Sequence, residues 1–496
     1  MARVSSIFRS PLPRRDLAIL GGVSLAAGLI YLAVCAVLYR IGFPLDDSWI
    51  HLTFARNLAE HGQWAFRLGV PSAGSTSPLW SALLAVGFWI RLAPYGWTYL
   101  LGLLTLWALT VVSEAAARRL VPAYHPRLPW VGIFMAVEWH LLWAALSGME
   151  TLLHGLLAAV ILVALMTGSR RYLTLGLLTG LSVWVRPDGL TLIGPVVLTT
   201  LLTEKDMRSR LGGLVKYFIG FGVLFVFYLF FNLLIGGTPM PNTFYAKQAE
   251  YAAWQSLPIL SRLNELLLQL LVGPSFLLIP GVLAWMARSI RKWDWGSLSA
   301  LVWSLGYMGL YLMRLPVYQH GRYIMPAMPV FFLLGLLAVV EFTQSKTFGR
   351  QHWIVDTSWR LSLAMVTLLF IALGARSYAR DVELIEGEMV AAAKWAAANL
   401  PPDALLAVHD IGALGYFDNH PLIDLAGLIS PEVIPFIRDE DRLAAYLDSQ
   451  GADYLIAFPD LYPQMTVGRP IVFAADGAIA REIDGINMTI YRWKSP

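Results

Sequence analysis

Two adjacent carboxylates, Asp46 and Asp47, stand in Pro44-Leu45-Asp46-Asp47-Ser48-Trp49, directly after the first long apolar run. Ionisable groups at a membrane boundary cost free energy unless solvated or partnered, so they mark functional sites by default. Such a carboxylate can act as a general base, because partial burial raises its pKa toward the working range. It can also ligate a hard cation. Neighbouring residues diverge on a helix or strand, so only one of the pair is expected to face a substrate directly. The competing reading is local: Asp47 caps a helix that begins near Trp49.

Further along, Arg186, Lys247, His320 and Arg322 fall at or near the ends of apolar segments. Cations there can hold a phosphate, arginine with two parallel hydrogen bonds and lysine as a point charge; alone, each could equally anchor to lipid headgroups. Asn242 and Tyr245 lie beside Lys247 in sequence. Glu150, in the Ser147–Thr151 turn, reads either as a second carboxylate of the site or as a partner for one of these cations. Asp188 is expected to order its own Arg186-Pro187-Asp188-Gly189 turn, and His409-Asp410 to be structural. Arg56 sits within His51–Gly62, whose apolar residues recur at helical spacing and suit a helix lying in the membrane interface.

Composition says what must position these groups. Of 496 residues, 57% are hydrophobic and only 14% charged, and the mean hydropathy is +0.59; soluble domains carry about a quarter charged residues. The chain therefore reads as a multi-pass α-helical membrane protein. A net charge of +4, with basic residues gathered in short loops, speaks for topology control and against nucleic acid as a partner. The single cysteine, Cys35, leaves no intrachain disulfide and no cysteine-based metal site. Arginines before the first run superficially suggest a signal peptide, but about 23 apolar residues exceed a signal h-region, so a retained span with a cytoplasmic N-terminus is expected. No Gly-Lys-Ser/Thr phosphate loop or dinucleotide fingerprint occurs.

About 20 apolar residues cross a bilayer. Beyond the first, candidates are 96–117, 129–146, 150–167, 172–186, 189–203, 214–235, 271–288, 297–313, 324–341 and 359–375. The segment 79–93 is short. If it lies in the interface, the loops with Arg118/Arg119/Arg127, Arg170/Arg171, Lys205/Arg208/Arg210, Arg288/Arg291/Lys292 and Lys346/Arg350 all fall inside, as the positive-inside rule requires. That parity gives about 11 spans and places Asp46-Asp47, Glu150, Arg186, Lys247 and His320-Gly321-Arg322-Tyr323 together on the extracytoplasmic face. Residues 1–377 form the membrane domain. From 378 to 496, strands at 404–408, 422–425, 454–458 and within 470–493 alternate with helices at 391–399 and 440–450, which suggests a small α/β domain outside the membrane.

The ordered set Leu45–Ile50, Phe54–Leu58, Gly74–Trp80, Ser147–Thr151, Arg186–Gly189, Pro241–Lys247 and Gly321–Tyr323, followed by Asp410–Tyr416 and Ile423–Leu428, resembles the GT-C class of polyprenyl-phosphate-sugar-dependent glycosyltransferases, in its arabinofuranosyltransferase-like branch. The resemblance implies a GT-C-like membrane domain with interfacial helices in the first external loop. It also implies a polyprenyl-phosphate-linked donor, an external glycan, lipid or protein acceptor, and a base in that loop. On this expectation Asp46 takes the acceptor proton, with Asp47 as alternative or positioning neighbour. Arg186, Lys247, His320 and Arg322 offset charge on the leaving phosphate, and Arg56, Glu150, Asn242 and Tyr245 complete the substrate-binding set. The sugar is arabinofuranose or a hexose. No cofactor is required; a divalent metal at Asp46-Asp47 is an option the chemistry does not demand. The alternative is a transporter or flippase for lipid-linked sugars, though the polar motifs gather on one face and no internal repeat is visible.

Overall fold

The computed structural model describes residues 12–344, 350–478 and 485–494. Arg3, Arg9, Lys346 and part of the 470–493 stretch lie outside the described residues. Every segment read as a span is helical, and short connections join most consecutive helices. Among the described residues, six helices are long and apolar enough to cross a membrane: Arg14–Leu38, Pro94–Leu120, Met207–Gly236, Trp295–Arg314, Gln319–Gln344 and Trp353–Asn399. Ile259–Leu271 with Pro274–Lys292, bent by 90°, makes a seventh if it is one span.

The expected count of about 11 is therefore not carried by helix length. Thr151–Met166, Tyr172–Val185 and Pro187–Thr203 are short apolar helices, and the 129–146 segment is two eight-residue helices parted at Glu138. Glu138 is extended there, and its carboxylate accepts the Leu141 N–H at 3.1 Å to start the second helix. Pro78–Trp89 has 12 residues. At 1.5 Å per residue that is about 18 Å, well short of the ~30 Å hydrocarbon core.

The helix Arg350–Leu384 passes without a break through a π turn at Ile385–Met389 into Val390–Asn399, so the boundary expected at 377/378 falls inside a continuous rod. Buried Glu388 in that turn fastens the rod to the C-terminal sheet by accepting from the Met488 N–H at 2.8 Å. The sheet runs in the order Leu422–Asp424, Leu406–Val408, Tyr454–Ala457, Thr489–Arg492, Ile471–Ala474. The first three strands are parallel and the last two antiparallel, with Ala407 opposite both Ile423 and Leu455. The helix Ile411–Phe417, not expected from the sequence, follows the first of these strands in the chain.

The first loop sits between the two parts. The helix Asp47–His61 packs on Pro78–Trp89 and on Ile411–Phe417. Trp49 is its pivot: its ring meets Phe43 and Tyr95 from the membrane side and Tyr416 and Phe417 from the α/β side, at centroid distances of 4.7–5.3 Å. Each such aromatic pair contributes about 0.5–1.5 kcal/mol beyond its buried area.

Candidate active site

Asp47, Ile50 and His51 lie at i, i+3 and i+4 of the first-loop helix and so share one face, which lines a cavity of about 1040 Å³ counted to its open mouth. The same logic brings Thr243, Phe244, Lys247 and Gln248 into it from the helix Asn242–Glu250. The turns Met149–Thr151 and Arg186–Asp188, the end of Trp295–Arg314 and the pair Arg322-Tyr323 complete most of the wall.

Two of these turns depend on glycine. Gly148 holds φ +80°, and a Cβ there would come within 2.8 Å of Ser48. A Cβ on Gly189 would come within 2.6 Å of the Ser182 carbonyl carbon.

One charged group is closed. Arg186 Nη1 meets Glu150 Oε1 at 2.9 Å and its Nε meets Asp188 Oδ2 at 2.9 Å. Its Nη2 donates to the Tyr311 hydroxyl at 3.2 Å, and Tyr311 and Tyr307 both donate to Asp188. His51 Nε2 lies 3.2 Å from Glu150 Oε2. Burial works against the Glu150 charge, yet the hydrogen bond from His51 and the charge of Arg186 hold its carboxyl at about 2.

The second group is open. Asp47 Oδ2 lies 3.0 Å from Arg322 Nη1 and 3.8 Å from Lys247 Nζ. Both cations also donate to the Tyr323 hydroxyl, at 3.0 and 3.1 Å. Burial again pushes the Asp47 carboxyl up, but Arg322, Lys247 and His51 outweigh it and keep the group below its ordinary value. Arg314 lines the cavity as well, exposed and with no ion pair among the described residues. The wall thus carries four cations (Arg186, Lys247, Arg314, Arg322) against three carboxylates (Asp47, Glu150, Asp188).

Asp46 goes the other way. It is 7% exposed, does not line the cavity, and accepts the backbone N–H groups of Gly412 and Ala413 at 2.7 and 2.8 Å. Burial, helped by the charge of Asp410, pushes its carboxyl up to about 8 against the pull of those two N–H groups. That value would suit a base, but a base must first reach its proton, and both Asp46 oxygens face the start of the helix Ile411–Phe417. Arg56 clamps the other end of the same helix, donating to the carbonyls of Tyr416 and Gly415 at 2.7 and 3.2 Å. The Arg56 cation at the C-terminus of this short helix matches its dipole.

Of the residues singled out in the sequence, the structure therefore brings Asp47, Glu150, Arg186, Lys247 and Arg322 into one cavity. It places Asp46, Arg56, Asn242, Tyr245 and His320 outside its lining. The side chain of Asn242 donates to the Leu428 carbonyl at 3.2 Å, and Tyr245 packs on Phe244 at 5.4 Å. His320 pairs with Asp381 at 2.8 Å beside a separate groove lined by Trp139, Gln269 and Phe370. Among the described residues, no group of three or more His, Cys, Asp or Glu is placed to hold a metal ion. Sequence reasoning missed Arg314, Tyr311, His51 as a partner of Glu150, and Leu428.

Comparison with known proteins supports the class. The family model of a domain of unknown function, DUF8728, matches residues 376–491, and no curated protein matches the chain. ArnT from Cupriavidus metallidurans in the apo state has a TM-score of 0.58 over 96% of this chain and 98% of its own, at 15% identity. The Archaeoglobus fulgidus oligosaccharyltransferase scores 0.59 over 89% and 70% at 10% identity. A mycobacterial arabinofuranosyltransferase, AftD, scores 0.53 over 98% and 42% at 17% identity. The fold is that of the GT-C glycosyltransferases, and the chain is a membrane protein.

Proposed function

We propose that the protein is an inverting glycosyltransferase that moves a sugar from a polyprenyl-phosphate carrier to a hydroxyl acceptor of an envelope glycan, lipid or protein, on the outer face of the membrane. The carrying observation is a carboxylate and two cations meeting at the edge of one cavity, Asp47 with Arg322 at 3.0 Å and Lys247 at 3.8 Å. Solved relatives of this fold support the donor class: one ArnT structure holds undecaprenyl phosphate, and one AglB structure holds a dolichol-phosphate with an inhibitory peptide. The sugar is arabinofuranose or a hexose.

Asp47, rather than Asp46, accepts the proton of the acceptor hydroxyl. The oxygen attacks the anomeric carbon, the bond from that carbon to the phosphate oxygen breaks, and polyprenyl phosphate leaves with its added negative charge. Arg322, Lys247 and Arg314 offset that charge. Arg186 does not, because Glu150 and Asp188 already occupy it. Donor binding also readies the base: a phosphate that takes up Arg322 and Lys247 removes the charges that keep Asp47 low, and its basicity rises. No step requires a metal; a divalent cation at this position would have to rest on Asp47, since Asp46 accepts two N–H groups.

The test is mass spectrometry of the product formed by purified protein from polyprenyl-phosphate arabinofuranose or polyprenyl-phosphate glucose and an alkyl glycoside, with NMR of the isolated product to read its anomeric configuration. Transfer with inverted configuration is expected. Transport of the lipid-linked sugar across vesicles without transfer would contradict the proposal.

A further inference from the structure

One cavity wall comes from outside the membrane domain. Leu428 is the only residue after 378 that lines the cavity among the described residues, and it sits on a short finger after the strand Leu422–Asp424. The finger is held from within by a fully buried carboxylate: Asp424 accepts the N–H groups of Ala426 at 2.8 Å, Ile429 at 2.8 Å and Leu428. Ser430 Oγ closes it by accepting the Asp424 N–H at 3.1 Å. Gly427, at φ +75°, makes the turn that brings these N–H groups to one point.

The finger is held from the other side too. Asn242 Nδ2 donates to the Leu428 carbonyl at 3.2 Å, and the Asn242 N–H donates to Ala73 at 3.2 Å. Gly74 lies so close that a Cβ on it would come within 2.9 Å of Ile429 and 3.0 Å of the Leu428 carbonyl. Three backbone bonds to one carboxylate and a close-packed glycine leave Leu428 little freedom.

Beside the finger, Gly74, Thr76 and Thr243 bring no charge to the wall, and the nearest cation along the helix, Lys247, stands one turn beyond Thr243 and is engaged by Asp47 and Tyr323. Gly74 touches the finger, Thr76 Oγ1 donates to Thr243 Oγ1 at 3.2 Å, and all of these face the cavity. Arg314, Arg322 and Tyr311 reach the cavity from other segments of the chain. A charged phosphate is drawn to the cations, which leaves the patch of one aliphatic side chain and two hydroxyls for a neutral, hydroxyl-bearing ligand. Such a patch fits a sugar ring, whose C–H face packs on leucine while its hydroxyls meet threonine.

We infer that Leu428, held by Asp424 and Asn242, is the residue through which the external domain sets how long a glycan acceptor the cavity admits. Asn242 is then a positioning residue and not a ligand of the donor. The inference rests on the glycosyltransferase reading for the word acceptor, but its test needs no transfer.

Full-length protein in lipid nanodiscs is titrated with alkyl glycosides bearing one and three sugars, and binding is read by thermal shift and Kd. Leu428→Ala should improve trisaccharide binding relative to monosaccharide on the order of tenfold, the scale of a few methylenes in a pocket. Leu428→Trp should shift the ratio the other way. Asn242→Ala, which frees the finger without removing the leucine, should move it in the same sense as Leu428→Ala but less. Folding of each variant is checked by its Tm without ligand. A ratio equal to wild type in folded Leu428→Ala and Leu428→Trp overturns the inference, as does absence of binding of both glycosides to the wild-type chain. Transfer assayed separately in the wild-type chain decides the glycosyltransferase reading, so the two can fail independently.

Discussion

The cavity holds two charged groups of similar composition and opposite disposition. Around Arg186, two carboxylates and a tyrosine occupy every guanidinium nitrogen, and the side chains of Arg186 and Glu150 are 9% and 1% exposed, with Asp188 at the cavity edge keeping 21%. Around Asp47, one carboxylate is shared by two cations, and Asp47, Lys247 and Arg322 keep 29%, 23% and 13% of their surface. A buried, saturated ion network specifies a shape, and breaking it exposes an uncompensated charge. An open, unsaturated one can exchange a partner for a ligand. From this difference we assign structure to the Arg186 group and chemistry to the Asp47 group.

The largest expected effect separates the two aspartates. Asp47→Asn should lower transfer by about 10²–10⁴-fold, the worth of a positioned general base, with little change in stability. Asp46→Asn should do the reverse: it mispairs an amide with an N–H of Gly412 or Ala413, costing about 1–3 kcal/mol, and leaves measurable activity in the folded fraction. Equal losses of activity at equal stability would erase the distinction.

Next comes the closed group. Glu150→Ala should destabilise the protein by about 3 kcal/mol, the low end for removing one partner of a buried pair, because Asp188 still balances Arg186. This is read from thermal or denaturant unfolding. Glu150 is held at about 2, below its unfolded value of about 4.3. A carboxyl with a lowered folded pKa adds stability above the unfolded value and loses it as pH falls through the folded one. Acid titration from about pH 4 downward should therefore erode wild-type stability more than that of the variant. A variant as stable as wild type would show that the network is dispensable.

Smaller effects belong to the open group. Arg314→Gln and Arg322→Gln should each raise the donor KM roughly tenfold, the worth of one charge-assisted hydrogen bond, while acceptor KM stays near its starting value. A shift confined to acceptor KM would place the phosphate elsewhere.

Much of this arrangement is legible in the chain, and what is not has physical causes. Apolar length located the helices, and Asp47, Glu150, Arg186, Lys247 and Arg322, read from the sequence as sharing one face, line one cavity. Sequence could not tell Asp46 from Asp47, because which of two neighbours faces the cavity depends on where the helix starts. That start is tied to Gly412, more than 360 residues away; a Cβ there would come within 2.0 Å of the Asp46 carbonyl oxygen. His320 and Arg322 separate for a related reason: Gln319, His320 and Gly321 all have positive φ, and this turn sends one side chain to each of two cavities. Arg314 looks like any basic residue ending a span, and Leu428 like any strand-end leucine. Only the docking of the α/β domain gives Leu428 a site, and only the meeting of several helix ends and turns gives Arg314 one.

The most direct test perturbs nothing in the protein: the pH dependence of kcat/KM for sugar transfer by the wild-type chain, which reports the base of the free enzyme. With Asp47 held below its ordinary value by Arg322 and Lys247, the profile should be level through neutral pH and fall only on the acid side of the usual carboxylate range. The acid limb of kcat should lie at higher pH than that of kcat/KM, since the bound phosphate takes cations from Asp47. A kcat/KM that instead climbs through a midpoint near 8, the value to which burial pushes Asp46, would contradict the account and return the base to Asp46.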